Sequence, residues 1–216
     1  MPQATKPADR TYFERGGRHA LECRIRDFGP VLEKHDLSAY TAIDIGCAEG
    51  DITGWLAKRF KQVDALEYMD ACYKKAHERF IDNPNVTVRQ GDISTFPLSK
   101  DYDFVFFLGV LHFFSCDEMR QRLLRYCLDH AQHACFVRTA IREFFVRDQW
   151  NLARVEYFVP LKTLHRVAGD DFDIHVIDNG CSRGTENSIG DLVIYRRRCE
   201  DNPLPPLSEI YPTSAA

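Results

Sequence analysis

The chain has 216 residues, of which 44% are hydrophobic and 28% are charged, and its formal net charge is −4. The length indicates one large domain, or a domain with a small appendage, and the composition is that of an ordinary globular protein. The acidic balance argues against nonspecific binding to a nucleic-acid duplex, which requires a basic face.

No apolar run approaches the roughly 18 residues of a membrane span, and residues 1–15 lack the apolar core of a signal peptide. We therefore expect a cytoplasmic protein with no membrane partner. Eight cysteines are scattered along the chain. A chain of this length does not need disulfides to hold its core, so we expect these thiols to be reduced and buried.

Residues 1–40 are predicted to be a helical lead-in and a candidate lid. Leu21, Ile25 and Phe28 recur at helical spacing. The Gly-Pro pair at residues 29–30 is expected to interrupt this helix, because proline has no amide hydrogen to donate.

Residues 41–198 are predicted to form one α/β domain, because strand and helix patterns alternate along it. The predicted strands lie at residues 41–45, 62–67, 86–90, 102–108, 134–137, 172–177 and 192–195. The predicted helices lie at residues 51–60, 71–80, 117–130 and 160–168, with Asp70 and Asp117 as caps and Pro160 in a first turn. Residues 141–158, rich in arginine and aromatic residues, are interpreted as an insertion or substrate lid, and residues 199–216 as a proline-rich, irregular tail.

The first strand runs into a turn that carries two glycines. Asp44 lies two residues before Gly46, and Gly50 follows four residues later. This spacing differs from the G-x-G-x-x-G fingerprint of dinucleotide-binding proteins. Because glycine has no β-carbon, the backbone of this turn, including Cys47 and Ala48, can approach a ligand closely. The alternative is an ordinary turn with a capping aspartate.

Acidic residues also end the second and third strands. Glu67 comes about 20 residues after the glycine turn, where nucleoside-binding sheets place an acid on the ribose hydroxyls, and Tyr68 follows it. Asp92 is placed to accept from the amine of adenine, with Ile93 against the ring. Alone, each acid could equally be solvated or belong to a turn.

The fourth strand ends at Leu108 and is followed by Gly109, whose backbone can approach a bound cofactor closely. His112 comes three residues later, and histidine is suited to remove a proton from an acceptor near neutral pH. Phe113 could form a wall of the substrate site. The alternative is that His112 only packs against the cofactor or orders its loop.

In order and spacing these residues resemble the class I, Rossmann-like S-adenosylmethionine (SAM)-dependent methyltransferases. The resemblance covers roughly residues 41–114 with specific motifs and the rest of the chain only by strand count. It implies a three-layer αβα sandwich with a seven-stranded, mostly parallel sheet whose last two strands form an antiparallel closing pair. It also implies SAM as cofactor, with Gly109 beside its methionine part and His112 where the methyl group meets the acceptor. The acceptor would attack the methyl carbon in line.

The sequence departs from part of this family in two places. No Asn-Pro-Pro-Tyr or Asp-Pro-Pro-Tyr follows the fourth strand, so methylation of adenine or of a glutamine amide by that motif is not expected. The turn has Cys47, Ala48 and Glu49 where many relatives have a further glycine.

Four arginines, Arg138, Arg142, Arg147 and Arg183, fall on loops expected to edge the substrate cleft. Arginine binds phosphate or carboxylate through two parallel hydrogen bonds, so convergence of some of them would select an anionic acceptor. The alternative is a solvated charged surface.

No metal site is predicted. Cys127, His130, His133 and Cys135 are close in sequence, but they straddle a helix end and a strand start that point them in different directions. Cys47 is interpreted as a packing residue rather than a nucleophile, because no basic neighbour in sequence would lower its pKa.

We therefore predict an enzyme that methylates an oxygen or nitrogen of a small polar acceptor, a metabolite or a sugar, which would be anionic if the arginines converge. An RNA methyltransferase and a non-catalytic, SAM-binding regulatory protein remain as alternatives. An NAD-dependent oxidoreductase fits Glu67 but not the glycine spacing.

Overall fold

The computed structural model of the protein describes residue 25 and residues 27–141, 158–178 and 191–211. The strands are β1 (Thr41–Ile45), β2 (Gln62–Glu67), β3 (Val86–Gln90), β4 (Tyr102–Leu108), β5 (Ala131–Thr139), β6 (Phe172–Ile177) and β7 (Asp191–Arg197). The helices are α1 (Asp51–Leu56), α2 (Asp70–Phe80), α3 (Asp117–Asp129), α4 (Leu161–Ala168) and α5 (Leu207–Ile210), with a 3₁₀ turn at Leu111–Phe113. Among these residues, no helix is both long enough and apolar enough to cross a bilayer.

The seven strands form one sheet in the order β3-β2-β1-β4-β5-β7-β6. The first five in this order are parallel, whereas β7 is antiparallel to both β5 and β6. The predicted seven-stranded, mostly parallel sheet with an antiparallel closing pair is therefore confirmed. The strand order reverses between β1 and β4, and in such sheets the ligand crevice lies at the carboxyl ends of the strands at this point.

Helices cover both faces of the sheet, which confirms the predicted three-layer αβα sandwich. On one face, Phe106 of β4 stacks on Phe136 of β5, with ring centroids 4.9 Å apart, and both are fully buried. On the other face, the buried residues Val105 and Phe107 belong to the cluster that includes Leu124 of α3. The strands are apolar on both faces because each face meets a layer of helices.

The lead-in helix, residues 27–32, is not interrupted at residues 29–30, so that prediction is wrong. Phe28, Val31 and Leu32 are at most 1% exposed, and the Phe28 ring lies 5.5 Å from that of Trp55. Burial of an apolar face outweighs the weak intrinsic helix preference of glycine and proline here.

Helix α1 ends at Leu56, four residues earlier than predicted. The amide of Arg59 donates to the carbonyl of Leu56 over 2.8 Å, which tightens the chain into a turn. The guanidinium of Arg59 donates to the carbonyl of Trp55 over 3.0 Å and lies 3.6 Å from the Trp55 ring centroid. These contacts satisfy the carbonyls that a longer helix would have used.

The capping predictions at two helices are also wrong. Asp70 and Asp117 are the first residues of their helices, and neither helix has a side-chain cap. Each makes an ion pair within its own first turn instead, Asp70 with Lys74 over 2.8 Å and Asp117 with Arg120. Pro160 precedes α4 rather than lying in its first turn.

Strand β5 extends beyond the predicted residues 134–137 at both ends, because its polar residues find partners. Gln132 donates to Asp101 over 3.0 Å, and the carbonyl of Ala131 accepts from Arg197 over 2.8 Å. The tail is not wholly irregular either, since α5 buries Leu207 against the sheet. The bounds of the domain stay a prediction, and residues 142–157 of the predicted insertion lie outside the described residues.

Candidate active site

The glycine turn after β1 has a left-handed backbone at three positions. The φ angles are +77° at Gly46, +51° at Ala48 and +83° at Gly50. The amides of Gly46 and Cys47 donate to the carbonyl of Leu66 over 2.7 and 3.2 Å, which holds the turn against the end of β2. The turn therefore has one defined conformation next to the second strand.

Both glycines of this turn are required by contacts within the protein. A β-carbon on Gly46 would overlap Cγ2 of Val110, in the loop after β4. A β-carbon on Gly50 would lie 2.5 Å from the ring of Phe80, at the end of α2. Real β-carbons do not approach other atoms this closely, so the turn, the β4 loop and α2 meet only because glycine is present.

Glu67 is a buried carboxylate at the end of β2, only 6% exposed. Its Oε2 accepts from the amide of Ala48 over 2.8 Å, and its Oε1 accepts from the amide of Met69 over 2.7 Å. Burial raises the pKa of the Glu67 carboxyl above its usual value, and the backbone hydrogen bonds oppose that rise. Each oxygen can accept a further hydrogen bond, so the group can still hold two hydroxyl donors.

Asp44 fastens β1 to the helix that follows it. Its Oδ2 accepts from the hydroxyl of Thr53 over 2.6 Å, and the two residues are 2% and 0% exposed. Thr53 is a contributor that we missed from the sequence. The sequence pattern that could have revealed it is a hydroxyl residue in the first turn of the helix after the glycines. A side chain at that position faces the carboxyl end of the strand that precedes the turn.

Replacing Thr53 by valine is expected to lower the free energy of unfolding by roughly 1–3 kcal/mol, because a buried carboxylate oxygen loses a donor while the side-chain shape is kept. Urea denaturation measures the change. The exposed Thr87 of β3 is the matched control, and its valine variant should shift stability by less than about 0.5 kcal/mol. Equal shifts for the two variants would contradict the assigned role of the Thr53 hydroxyl.

Cys47 behaves as the packing residue that was predicted. It is 6% exposed and lies in a small buried cluster with Ala65 and Ala76. Burial, together with the negative charges of Asp44 and Glu67, raises the pKa of its thiol far above the usual value. A thiol that stays protonated is a poor nucleophile.

Asp92 and Ile93 follow β3 in a loop joined to β2, since the amide of Gly91 donates to the carbonyl of Glu67 over 2.9 Å. Oδ1 of Asp92 accepts from the amide of Ser94 over 2.8 Å, so one oxygen shapes the turn. Ile93 is 7% exposed and belongs to the core. In contrast, Tyr68 at the end of β2 is 59% exposed.

The loop after β4 carries the predicted catalytic residue. Leu108 is buried, and Gly109 has a φ of +76° and donates its amide to the carbonyl of Arg138 over 3.0 Å. His112 lies half-buried in the 3₁₀ turn, with its ring centroid 4.4 Å from that of Phe113, which is also half-buried. The predicted segment thus lies at the same sheet edge as the glycine turn.

The prediction that Arg138 lies on a loop is wrong. It is in β5 and fully buried, and its guanidinium donates to Asp27 of the lead-in over 2.7 Å. The Arg138–Asp27 ion pair joins the lead-in to β5, so we withdraw Arg138 as an acceptor-binding residue. Arg142, Arg147 and Arg183 lie outside the described residues.

Residues 42–132 match the family model for a methyltransferase domain. The fold is similar to that of magnesium protoporphyrin IX methyltransferase (ChlM) from Synechocystis PCC 6803 with bound SAM, at 15% identity over 90% of this chain and 88% of that one, with a TM-score of 0.66. It is also similar to the N-methyltransferase NodS from Bradyrhizobium japonicum WM9 in complex with S-adenosylhomocysteine, at 14% identity over 89% and 94% of the two chains, with a TM-score of 0.68.

A third similar structure is SAM-bound CalS10, an amino pentose methyltransferase from Micromonospora echinaspora, at 17% identity over 86% of this chain and 94% of that one, with a TM-score of 0.61. No curated protein gives a significant sequence match. At these identities the similar structures establish the fold alone, and the family model covers less than half of the chain.

Proposed function

We propose that this chain is a class I SAM-dependent methyltransferase and that it methylates an oxygen or nitrogen of a small polar, anionic acceptor; the family-model match and the similar folds support the reaction type. The observation that carries the proposal is the buried Glu67 carboxylate, held by two backbone amides beside the glycine turn. A carboxylate fixed at this strand end can accept from both ribose hydroxyls of an adenosyl group.

We propose that the other cofactor-binding residues lie near Glu67 at the carboxyl ends of the strands. We propose that Asp92 accepts from the adenine amine and that Ile93 packs against the ring. Four residues of the glycine turn would lie against the amino-acid end of SAM, with Asp44 behind them: Gly46, Cys47, Ala48 and Gly50. Tyr68, Leu108 and Gly109 would complete the contacts to the sugar and the methionine chain. SAM supplies a methyl group on a sulfonium, which is an electrophile.

The chain's own contribution to the reaction is alignment and proton removal. The residues at the site would hold the acceptor in line with the methyl–sulfur bond of SAM, so that the acceptor's lone pair could displace the sulfur from the methyl carbon. We propose that His112 takes the acceptor's proton and that Phe113 excludes water. Arg142 and Arg183 are retained as proposed contacts to an anionic acceptor.

The fold does not select the acceptor. The two acceptors named for similar structures, a magnesium porphyrin and an amino pentose, differ widely in size and charge. The acceptor of this chain must therefore be found by experiment.

Purified protein incubated with methyl-labelled SAM and separate pools of small metabolites and RNA tests the proposal. We expect label in an anionic metabolite fraction. With that acceptor, His112→Ala should lower kcat by about 100-fold or more, the usual contribution of a general base, while SAM affinity changes less than about threefold. The exposed His165 of α4 is the matched control, and its alanine variant should keep full activity.

Label entering RNA alone would contradict a small acceptor. Tight SAM binding without label in any pool would favour the non-catalytic alternative. An unchanged kcat in His112→Ala would show that this residue only packs.

A further inference from the structure

Three potential metal ligands lie close together where β5 begins and β7 ends. One ligand atom each from His133, Cys199 and Asp201 all lie within 4.8 Å of one another. His133 is near the start of β5, and Cys199 and Asp201 follow β7, which pairs with β5 in antiparallel register. The pairing brings together residues that are more than 60 positions apart in sequence.

The imidazole of His133 is oriented as it is in many metal sites. Nδ1 faces Sγ of Cys199 at 3.8 Å, and Nε2 faces Oδ1 of Asp103 at 3.5 Å. Asp103 is itself fixed, because its Oδ2 accepts from the amide and the hydroxyl of Thr41 over 2.7 and 2.8 Å. A metal-binding histidine commonly directs its second nitrogen to a carboxylate, which sets the tautomer and the ring plane.

The turn that carries Cys199 and Asp201 is held in place by contacts of its own. The side-chain amide of Asn202 donates to the carbonyls of His133 and Arg197 over 2.8 and 2.9 Å. Its Oδ1 accepts from the amide of Leu204 over 3.0 Å. The ligands are therefore preorganised, and little chain ordering would oppose binding.

We propose that His133, Cys199 and Asp201 bind one divalent transition-metal ion, of which Zn²⁺ fits best. A nitrogen, a sulfur and an oxygen ligand suit this borderline ion and not Mg²⁺ or Ca²⁺, which take oxygen ligands. In tetrahedral zinc sites a nitrogen and a sulfur ligand lie about 3.5 Å apart, close to the 3.8 Å between Nδ1 and Sγ. Water would take the fourth position.

This site is distinct from the proposed SAM site and goes beyond the proposed function. Asp103 and His133 lie near the starts of β4 and β5, whereas the SAM residues follow the strand ends, roughly 15 Å away at about 3.3 Å per residue. The ion would fasten the turn that leads to α5 onto β5. Its role would be structural rather than catalytic.

The ligand set differs from the one considered in the sequence, and the proposal departs from the expectation that the chain has no metal site. Cys127 and Cys135 are both fully buried, and His130 bonds to Asp101 over 2.8 Å. Only His133 is common to the two sets. Cys199 could not be assigned to it before the β5–β7 pairing was known.

Chelator-treated full-length protein titrated with Co²⁺ tests the proposal, because thiolate-bound Co²⁺ absorbs in the near ultraviolet. We expect one equivalent to bind, Zn²⁺ to displace it, and Zn²⁺ to raise the melting temperature. Cys199→Ser should abolish the thiolate band and weaken binding at least tenfold, and Asp201→Asn should weaken binding at least threefold. Both residues lie outside the fully buried core, so these variants should fold.

Cys116→Ser is the matched control, because Cys116, like Cys199, is a partly exposed thiol. Its Sγ donates a hydrogen bond to the carboxylate of Glu118 over 2.8 Å. It should leave the spectrum unchanged. A thiolate band that survives Cys199→Ser, or no band at stoichiometric Co²⁺, would overturn the site and would identify the trio as a hydrogen-bonded polar cluster. Neither result depends on SAM binding.

Discussion

Replacing Glu67 by alanine is expected to weaken SAM binding by at least about 100-fold. Hydrogen bonds to a charged acceptor contribute roughly 1.5–3 kcal/mol each, and the proposal assigns two ribose hydroxyls to this carboxylate. The loss of both therefore amounts to about 3 kcal/mol or more, and each 1.4 kcal/mol is tenfold in affinity. Isothermal titration calorimetry of the wild type and the variant measures the difference.

The matched control is Glu49→Ala. Glu49 is an acid of the same turn, but it is partly exposed and pairs with Lys75 over 2.5 Å. Its removal should change SAM affinity by less than about threefold. A folded Glu67→Ala protein that binds SAM as tightly as the wild type would contradict the role of Glu67 in the site. Circular dichroism distinguishes that result from simple unfolding.

Replacing Gly46 by alanine is expected to destabilise the fold by roughly 2–5 kcal/mol. A residue with a β-carbon at a φ of +77° costs roughly 1–2 kcal/mol. Overlap of the new β-carbon with Val110 adds a packing cost of roughly 1–3 kcal/mol. For a chain of this size the two together lower the melting temperature by roughly 10 °C.

Two further variants separate the two causes. Gly109→Ala has nearly the same φ, +76°, but its β-carbon would meet only His112, at 4.0 Å. It should therefore show the backbone cost alone. Adding Val110→Ala to Gly46→Ala should recover part of the packing cost and none of the backbone cost. If Gly46→Ala were no less stable than Gly109→Ala, the close approach of the β4 loop to the turn would be wrong.

The sheet could be predicted from the sequence because its apolar runs are nearly uninterrupted. β1, β2, β3, β4 and β6 have the predicted bounds. The ends of β5 were missed because they carry polar residues such as Gln132 and Arg138, whose partners lie in distant segments. A local pattern does not reveal such partners. The same limitation explains the wrong loop position of Arg138.

The candidate site was predictable in part for a related reason. Asp44, Gly46 and Glu67 lie at the carboxyl ends of neighbouring parallel strands, so their closeness follows from strand order alone. The Thr53 hydroxyl and the two amides that hold Glu67 depend on the exact path of the turn, which the sequence does not specify. The trio at His133 depends on antiparallel pairing between distant strands, which strand order along the chain leaves open.

A crystal structure of the protein with S-adenosylhomocysteine tests the central claim most directly. We predict that both ribose hydroxyls lie within about 3.2 Å of the Glu67 carboxylate and that the turn after β1 contacts the amino-acid end. A nucleoside bound elsewhere, with Glu67 contacting only the amides of Ala48 and Met69, would contradict it.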